Sequence, residues 1–185
     1  MGNLCGIDEA GRGCIAGDLV VAGCIFTKSS NIKGLNDSKK ISEKKRSELF
    51  ELIIPSSIYH IVTISPQEID DKGLSFCMKN ALLEILETLD AKEYLFDGNT
   101  NFGVANLPTM IKADGKVPEV SAASILAKVT HDRNIIRDAM QYPEYDFDKH
   151  KGYGTKHHIA MIKEYGYTPI HRRSFRLKAL DATLF

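Results

Sequence analysis

The run Cys5-Gly6-Ile7-Asp8-Glu9-Ala10-Gly11-Arg12-Gly13 constrains this chain more than any other stretch. A short apolar lead (Leu4, Cys5, Ile7) reads as a strand, and two adjacent carboxylates fall where that strand should end. Side chains alternate across a strand, so Asp8 and Glu9 cannot both aim at one ion from undistorted backbone. Sharing a site needs a twist, a bulge or a main-chain carbonyl as an extra ligand. Gly11 and Gly13 allow the main chain close to a ligand, and Arg12 sets positive charge between them. Taken alone, the acidic pair is explained equally well by a solvated strand end.

The remaining pattern supplies a scaffold. Residues 3–8 and 18–27 read as an antiparallel pair joined by the Gly11–Gly17 turn, and 58–64 as a third strand. Ser42 caps a helix through about Ile54, with Leu49, Leu52 and Ile53 as its apolar stripe and Pro55 as its stop. Ser65-Pro66-Gln67-Glu68 is a capping box, and Gly73 breaks the short helix it opens. Leu74, Met78, Ala81, Leu82, Ile85 and Leu89 recur at helical spacing. Strands follow at 93–96 and 107–112, then a helix at roughly 119–140 with Ala122, Ile125, Leu126, Val129 and Ile136 on one side. Residues 142–154 read as a loop and 155–165 as a helix closed by Gly166 and Pro169. Strands first, then alternating helix and strand, predict an α/β fold with a mixed sheet flanked by helices.

Three further features point to chemistry. Asp97 ends a strand just before Gly98, and Asp114 sits in a Lys-Ala-Asp-Gly turn that opens a helix. If the strands of Asp8 and Asp97 are neighbours, these acids converge at one sheet end, where α/β sites gather. Like charges ~4 Å apart repel by ~4 kcal/mol at an effective dielectric near 20, so convergence implies shared protons or a divalent cation. All-oxygen ligation favours Mg²⁺ or Mn²⁺ over zinc. Asp132, inside a helix, reads instead as a salt-bridge residue. Charge is uneven: residues 149–178 hold eight Lys and Arg against one acid, Glu164, in a chain of net charge +0. A basic C-terminal segment on an acidic body suits a polyanion partner. The four cysteines lack Cys-x-x-Cys spacing and suit reduced, cytoplasmic thiols. The 185 residues fit one domain, with monomer the default and 142–185 as its basic helical end. No run is long and apolar enough to span a bilayer, and the N-terminus lacks a signal-peptide pattern.

Read together, the segments Gly6–Gly13, Leu35-Asn-Asp-Ser-Lys-Lys40, Phe96-Asp-Gly-Asn99, Lys112-Ala-Asp114, Val120–Val129, His150-Lys-Gly-Tyr-Gly-Thr155 and His171-Arg-Arg-Ser-Phe175 resemble bacterial type 2 ribonuclease H, the ribonuclease HII family. They run in family order across nearly the whole chain. The resemblance implies a ribonuclease H-like fold with a mixed five-stranded sheet. It implies an endonuclease that cleaves the RNA strand of RNA–DNA hybrids and nicks duplex DNA 5′ of a single embedded ribonucleotide, leaving a 3′-hydroxyl. Asp8, Glu9, Asp97 and Asp114 would be the catalytic, metal-binding set, with two Mg²⁺ or Mn²⁺ ions. Gly11, Arg12 and Gly13 would read the ribose 2′-hydroxyl, Tyr153 would stack on the next sugar, and Lys39 and Ser124 would contact phosphate. His171–Arg173 would either brace the C-terminal piece or touch DNA. Cys14, Asp18 and His131 depart from the usual family residues, and Asp18 adds negative charge that could alter metal preference. Little chain follows Phe175, so no long partner-binding tail is expected. Two other readings remain: a phosphotransferase of the actin–sugar kinase type, for which the chain is short, and a non-catalytic hybrid-binding module, which four acids would repel from nucleic acid unless metals are bound.

Overall fold

The computed structural model describes residues 4–27, 32–36 and 38–177, apart from the Lys39 side chain. β1 (Leu4–Ala10), β2 (Leu19–Phe26), β3 (Ser57–Ile64), β4 (Glu93–Asp97) and β5 (Thr109–Met110) form one five-stranded sheet in the order β3-β2-β1-β4-β5. β1 runs antiparallel to β2 and parallel to β4, β2 is antiparallel to β3, and β4 is parallel to β5. The sheet is therefore mixed, as the element order predicts.

Alternation along β1 sorts the two faces. Cys5 and Ile7 join Leu19, Val21 and Phe96 beneath α2 (Pro66–Lys72) and α3 (Leu74–Thr88). Ala10, Val20, Ala22 and Cys24 pack instead against α1 (Glu43–Ser56) and α4 (Pro118–Ala139). Gly6 lies on this second face because α4 arrives so close: a Cβ there would meet the Glu119 carbonyl carbon and the Val120 nitrogen at 2.3 Å. The start of α4 is thereby pressed onto the strand that carries Asp8. A third apolar cluster joins Ile15, Ala16 and Ile135 to Tyr145, Phe147 and Ile162, fastening α5 (Phe147–His150) and α6 (Lys156–Tyr165) to the body.

Several expectations change. β1 continues to Ala10, so Asp8 and Glu9 lie inside the strand rather than past its end. Pro55 does not stop α1, which runs to Ser56. A proline this near the C-terminus forfeits one hydrogen bond of the final turn, and the chain enters β3 directly. Leu52 is exposed; Leu49 and Ile53 alone carry the buried stripe. On α4 it is Ile135, not Ile136, that is buried, because it faces Gly17 and the C-terminal segment. The strand expected at 107–112 shortens to Thr109–Met110. The loop expected at 142–154 contains a 3₁₀ turn, Pro143–Tyr145, and α5. The caps hold: Ser42 accepts from the Lys45 N–H, and Ser65 from the Glu68 N–H.

Candidate active site

The β1–β4 register ends with Ile7 opposite Phe96, which leaves Asp8 and Asp97 flanking one another one residue further on. Asp97 then reaches along the chain. Its carboxylate accepts from the N–H groups of Ala113 and Asp114 at 3.3 and 3.4 Å, and so holds the 3₁₀ turn Ala113–Gly115 against the sheet end. The Asp114 carbonyl in turn accepts from Ser121 Oγ on α4. Two strands, a turn and a helix thus place Asp8, Asp97 and Asp114 so that one carboxylate oxygen from each lies within 4.8 Å of the others. Glu9 points to the opposite strand face but lines the same cavity, of about 450 Å³, with Asp8, Asp97 and Asp114. Its carboxylate meets the Arg12 guanidinium at 2.9 Å. The expected four acids therefore share one cavity, three as a tight cluster and the fourth bridged to Arg12.

Burial pushes the Asp8 carboxyl well above its usual range; the Glu9 and Asp97 charges push the same way, and a hydrogen bond from Ser124 pulls it back. Carboxylate oxygens this close fit a hard divalent cation between them.

A second, smaller cavity of about 170 Å³ adjoins the first and shares Asp8, Glu9 and Arg12. Gly11, Gly13, Ser38, Ser124, Lys128 and Tyr153 complete it. The glycine segment, Ser124 and Tyr153 thus line one cavity. Lys39 follows Ser38 in a 3₁₀ turn, but its side chain lies outside the described residues. Ser124 Oγ and Ser38 Oγ hydrogen-bond at 2.8 Å, tying that turn to α4. Lys128 was not anticipated. Its ammonium sits 5.5 Å from the centre of the Tyr153 ring and 2.8 Å from Asp132.

The glycine segment is shaped from far away in sequence. Gly11 has φ +82°, and a Cβ there would meet the Asp18 carbonyl and His131 at 2.5 Å, so only glycine fits. Its carbonyl accepts from Arg172 Nη1 at 2.7 Å, while Arg172 Nε and Nη2 reach the Gly17 carbonyl at 2.9 and 2.7 Å. Arg172 is 1% exposed. It braces the loop and does not form part of a basic surface, which decides that residue's role between the two alternatives above. The Arg173 N–H, in contrast, donates to Asp70 at the surface. Tyr153 lies across the loop: it bridges to Cys14, and the neighbouring Gly152 carbonyl accepts from Ile15 N–H at 2.9 Å. Asp132 is the expected salt-bridge residue, joined to Lys128, to His131 at 3.0 Å and to Arg46 of α1 at 4.0 Å. Arg133 turns instead to Glu51. Asp18 accepts from Asn134 at 3.0 Å and lines neither cavity. Cys14 is fully buried, and its thiol donates to the Lys151 carbonyl.

An acidic cavity at the ends of neighbouring parallel strands of this mixed sheet defines a hydrolase of the ribonuclease H fold. Solved structures agree: the ribonuclease HII of Archaeoglobus fulgidus, solved in complex with PCNA, is similar with a TM-score of 0.81 and 29% identity, over 97% of this chain and 99% of that one. A model of the family "Ribonuclease HII" matches residues 5–178. A ribonuclease HII of Sulfurovum sp. (strain NBC37-1) is 58% identical over 98% of this chain and 96% of its own length, and one of Aliarcobacter butzleri is 58% identical over 97% and 94%. The chain belongs to the ribonuclease HII family, whose members are endoribonucleases acting on RNA–DNA hybrids.

Proposed function

We propose that residues 1–185 form one catalytic domain that acts as a metal-dependent endonuclease, cutting the RNA strand of hybrids and nicking duplex DNA 5′ of a single embedded ribonucleotide. The observation that carries this reading is the meeting of Asp8, Asp97 and Asp114 oxygens within 4.8 Å, beside a cavity lined by Gly11–Gly13 and Tyr153. Asp8, Asp97 and Asp114 would hold Mg²⁺ or Mn²⁺, with Glu9 bordering the same space. When bound, such ions supply an activated water and charge stabilisation at the scissile phosphate.

The protein's own groups do the positioning. The main chain at Gly11–Gly13 approaches the ribose closely enough to exchange hydrogen bonds with its 2′-hydroxyl, the group that separates RNA from DNA. The Tyr153 ring, 38% exposed at the cavity wall, packs on the following deoxyribose. Burial pushes its hydroxyl up to about 12, so the ring stays neutral beside a polyanion. Ser124, with Lys39 on the adjoining turn, contacts phosphate, and these contacts place the duplex without reading sequence. Water adds to phosphorus, the bond to the 3′-oxygen breaks, and the products are a 3′-hydroxyl and a 5′-phosphate on the ribonucleotide. The basic C-terminal segment attracts the duplex, so binding weakens with salt. The protein works as a cytoplasmic monomer in this reading.

The test is cleavage of a DNA duplex carrying one ribonucleotide, with the cut mapped and Mg²⁺, Mn²⁺ and chelator tried separately. A single cut 5′ of the ribonucleotide, abolished by chelator, is expected. A cut elsewhere, or full activity in chelator, would sink the proposal.

A further inference from the structure

Three histidines cluster behind Tyr153, outside both cavities. His158 and His171 are 0% and 2% exposed, and the His150 ring stacks on His158 with centroids 4.1 Å apart. Their partners fix where each proton sits. His171 Nδ1 lies 2.9 Å from the Thr168 N–H, which can only donate, so this nitrogen is an acceptor and the neutral ring carries its hydrogen on Nε2. That Nε2–H faces His158 Nε2 at 3.0 Å, which must accept it. His158 then carries its own hydrogen on Nδ1, 3.0 Å from the Tyr153 carbonyl, which can only accept. Both ends of the chain dictate the same direction: Thr168 to His171 to His158 to Tyr153. A proton added to His158 would turn two N–H groups against each other across 3.0 Å, and one added to His171 would set its Nδ1–H against the Thr168 N–H across 2.9 Å. Burial agrees, holding His158 down to about 3 and His171 down to about 4.

The rest of Tyr153 is held from the same side. Its N–H donates to the His150 carbonyl at 2.9 Å, and its carbonyl also accepts from the Thr155 N–H at 2.8 Å. From the front, the bridge to Cys14, a side-chain hydrogen bond with Cys14 and Lys128 near its ring locate the residue.

We infer that His158 and His171 are positioning residues, a directional pair of hydrogen bonds that sets the Tyr153 main chain and thereby aims its ring at the nucleotide following the ribose. This rests on the proposed role of Tyr153. A ring displaced by even about 1 Å loses rate out of proportion to the stability lost.

The test has two arms. In the first, ¹⁵N NMR of the imidazoles in the unaltered protein at neutral pH should show His158 as the Nδ1–H tautomer and His171 as the Nε2–H tautomer. Any other assignment overturns the relay, whatever Tyr153 does. In the second, His158→Leu, His158→Gln, Tyr153→Ala and the double variant His158→Leu/Tyr153→Ala are assayed on a duplex with one ribonucleotide and on a continuous RNA–DNA hybrid. His158→Leu should lower kcat/KM on the first substrate by about tenfold and reduce the ratio between the two substrates. His158→Gln, which can accept at one end and donate at the other, should restore most of it, and His158→Leu should add nothing once Tyr153 is alanine. Equal losses on both substrates, no rescue by glutamine, or independent effects in the double variant would each overturn the positioning role. Should Tyr153→Ala cut the single-ribonucleotide duplex normally, the reading of Tyr153 fails and the positioning role with it, while the tautomers still judge the relay. Should His158→Leu not fold, the tautomers and the glutamine variant decide.

Discussion

The two adjoining cavities are built on opposite principles. The acidic one is made of charges on regular elements: Asp8 within β1, Asp97 ending β4, Asp114 in a turn pinned by Asp97. Its groups repel, and the sheet and α4 force them together. The second adds to Asp8, Glu9 and Arg12 the main chain of Gly11–Gly13 and Tyr153 on irregular segments, and that part keeps its shape through a buried cation, Arg172, and buried histidines. In the proposed function, chemistry sits where the backbone is stiff and repulsion can be borne, and recognition where the backbone itself must be presented. The first should therefore be fragile in activity and tolerant in folding, whereas the second should lose stability wherever the scaffold behind it is cut.

The largest effect expected is at Asp97. Asp97→Asn should lower kcat on the single-ribonucleotide duplex by about a thousandfold or more, the scale of losing a key electrostatic group from a preorganised site. Normal Mg²⁺-dependent cleavage by this variant would remove the acidic cavity from the mechanism. In chelator, Asp8→Asn should leave the melting temperature unchanged or raise it, because it relieves a buried carboxylate of the Glu9 and Asp97 charges. A clear drop would break the contrast drawn above.

Arg172→Met should do the opposite. It leaves the Gly11 and Gly17 carbonyls without their buried donor, at a cost in urea denaturation of roughly 1–3 kcal/mol for each acceptor left unsatisfied. Gly13→Ala separates approach from stability within the same loop. A Cβ there meets nothing within 4 Å, so folding should be unaffected. Cleavage next to the ribonucleotide should nevertheless fall by about tenfold to a hundredfold, as expected when a reacting pair is misplaced by about 1 Å. Unchanged cleavage would mean that the substrate's sugar does not press on this main chain.

The smallest effect is a slope. Burial takes His158 from 6.5 to about 3 and His171 from 6.5 to about 4, so the unfolded chain binds more protons than the native one across the interval between. Stability contributed by these rings is complete above about pH 6.5 and is lost as pH falls toward 4. Urea midpoints measured from pH 7.5 to 4.5 should decline, and less steeply in His158→Gln. Equal slopes would show that other groups dominate.

The acidic cavity was legible in the sequence because each acid stands beside a signal of its own. Asp97 precedes a glycine at a strand end, Asp114 sits in a turn, and Asp8 follows an apolar lead. Alternation also foretold that Asp8 and Glu9 would part company, and Glu9 does reach the cavity from the other strand face, bridged to Arg12. The scaffold of the second cavity was not legible. Arg172, Arg173 and Arg176 look alike in a basic segment, and only a contact spanning 161 residues distinguishes the buried one. The histidine stack is hidden for the same reason, since His158 and His171 meet through a chain reversal that no local spacing reports. Pro55 misled because proline's cost depends on how many turns remain after it, and the short α5 was missed because four residues carry too little periodicity.

Arg172 has one more consequence, for the order in which this protein comes into being. The four carboxylates all precede residue 115, yet the loop beside them is locked by a residue added more than fifty positions later. A nascent or prematurely terminated polypeptide stopping short of that arginine would carry every acid and still leave the glycine turn without its clasp. Translation thus withholds the clasped loop until Arg172 has been added, well after the last of the four acids.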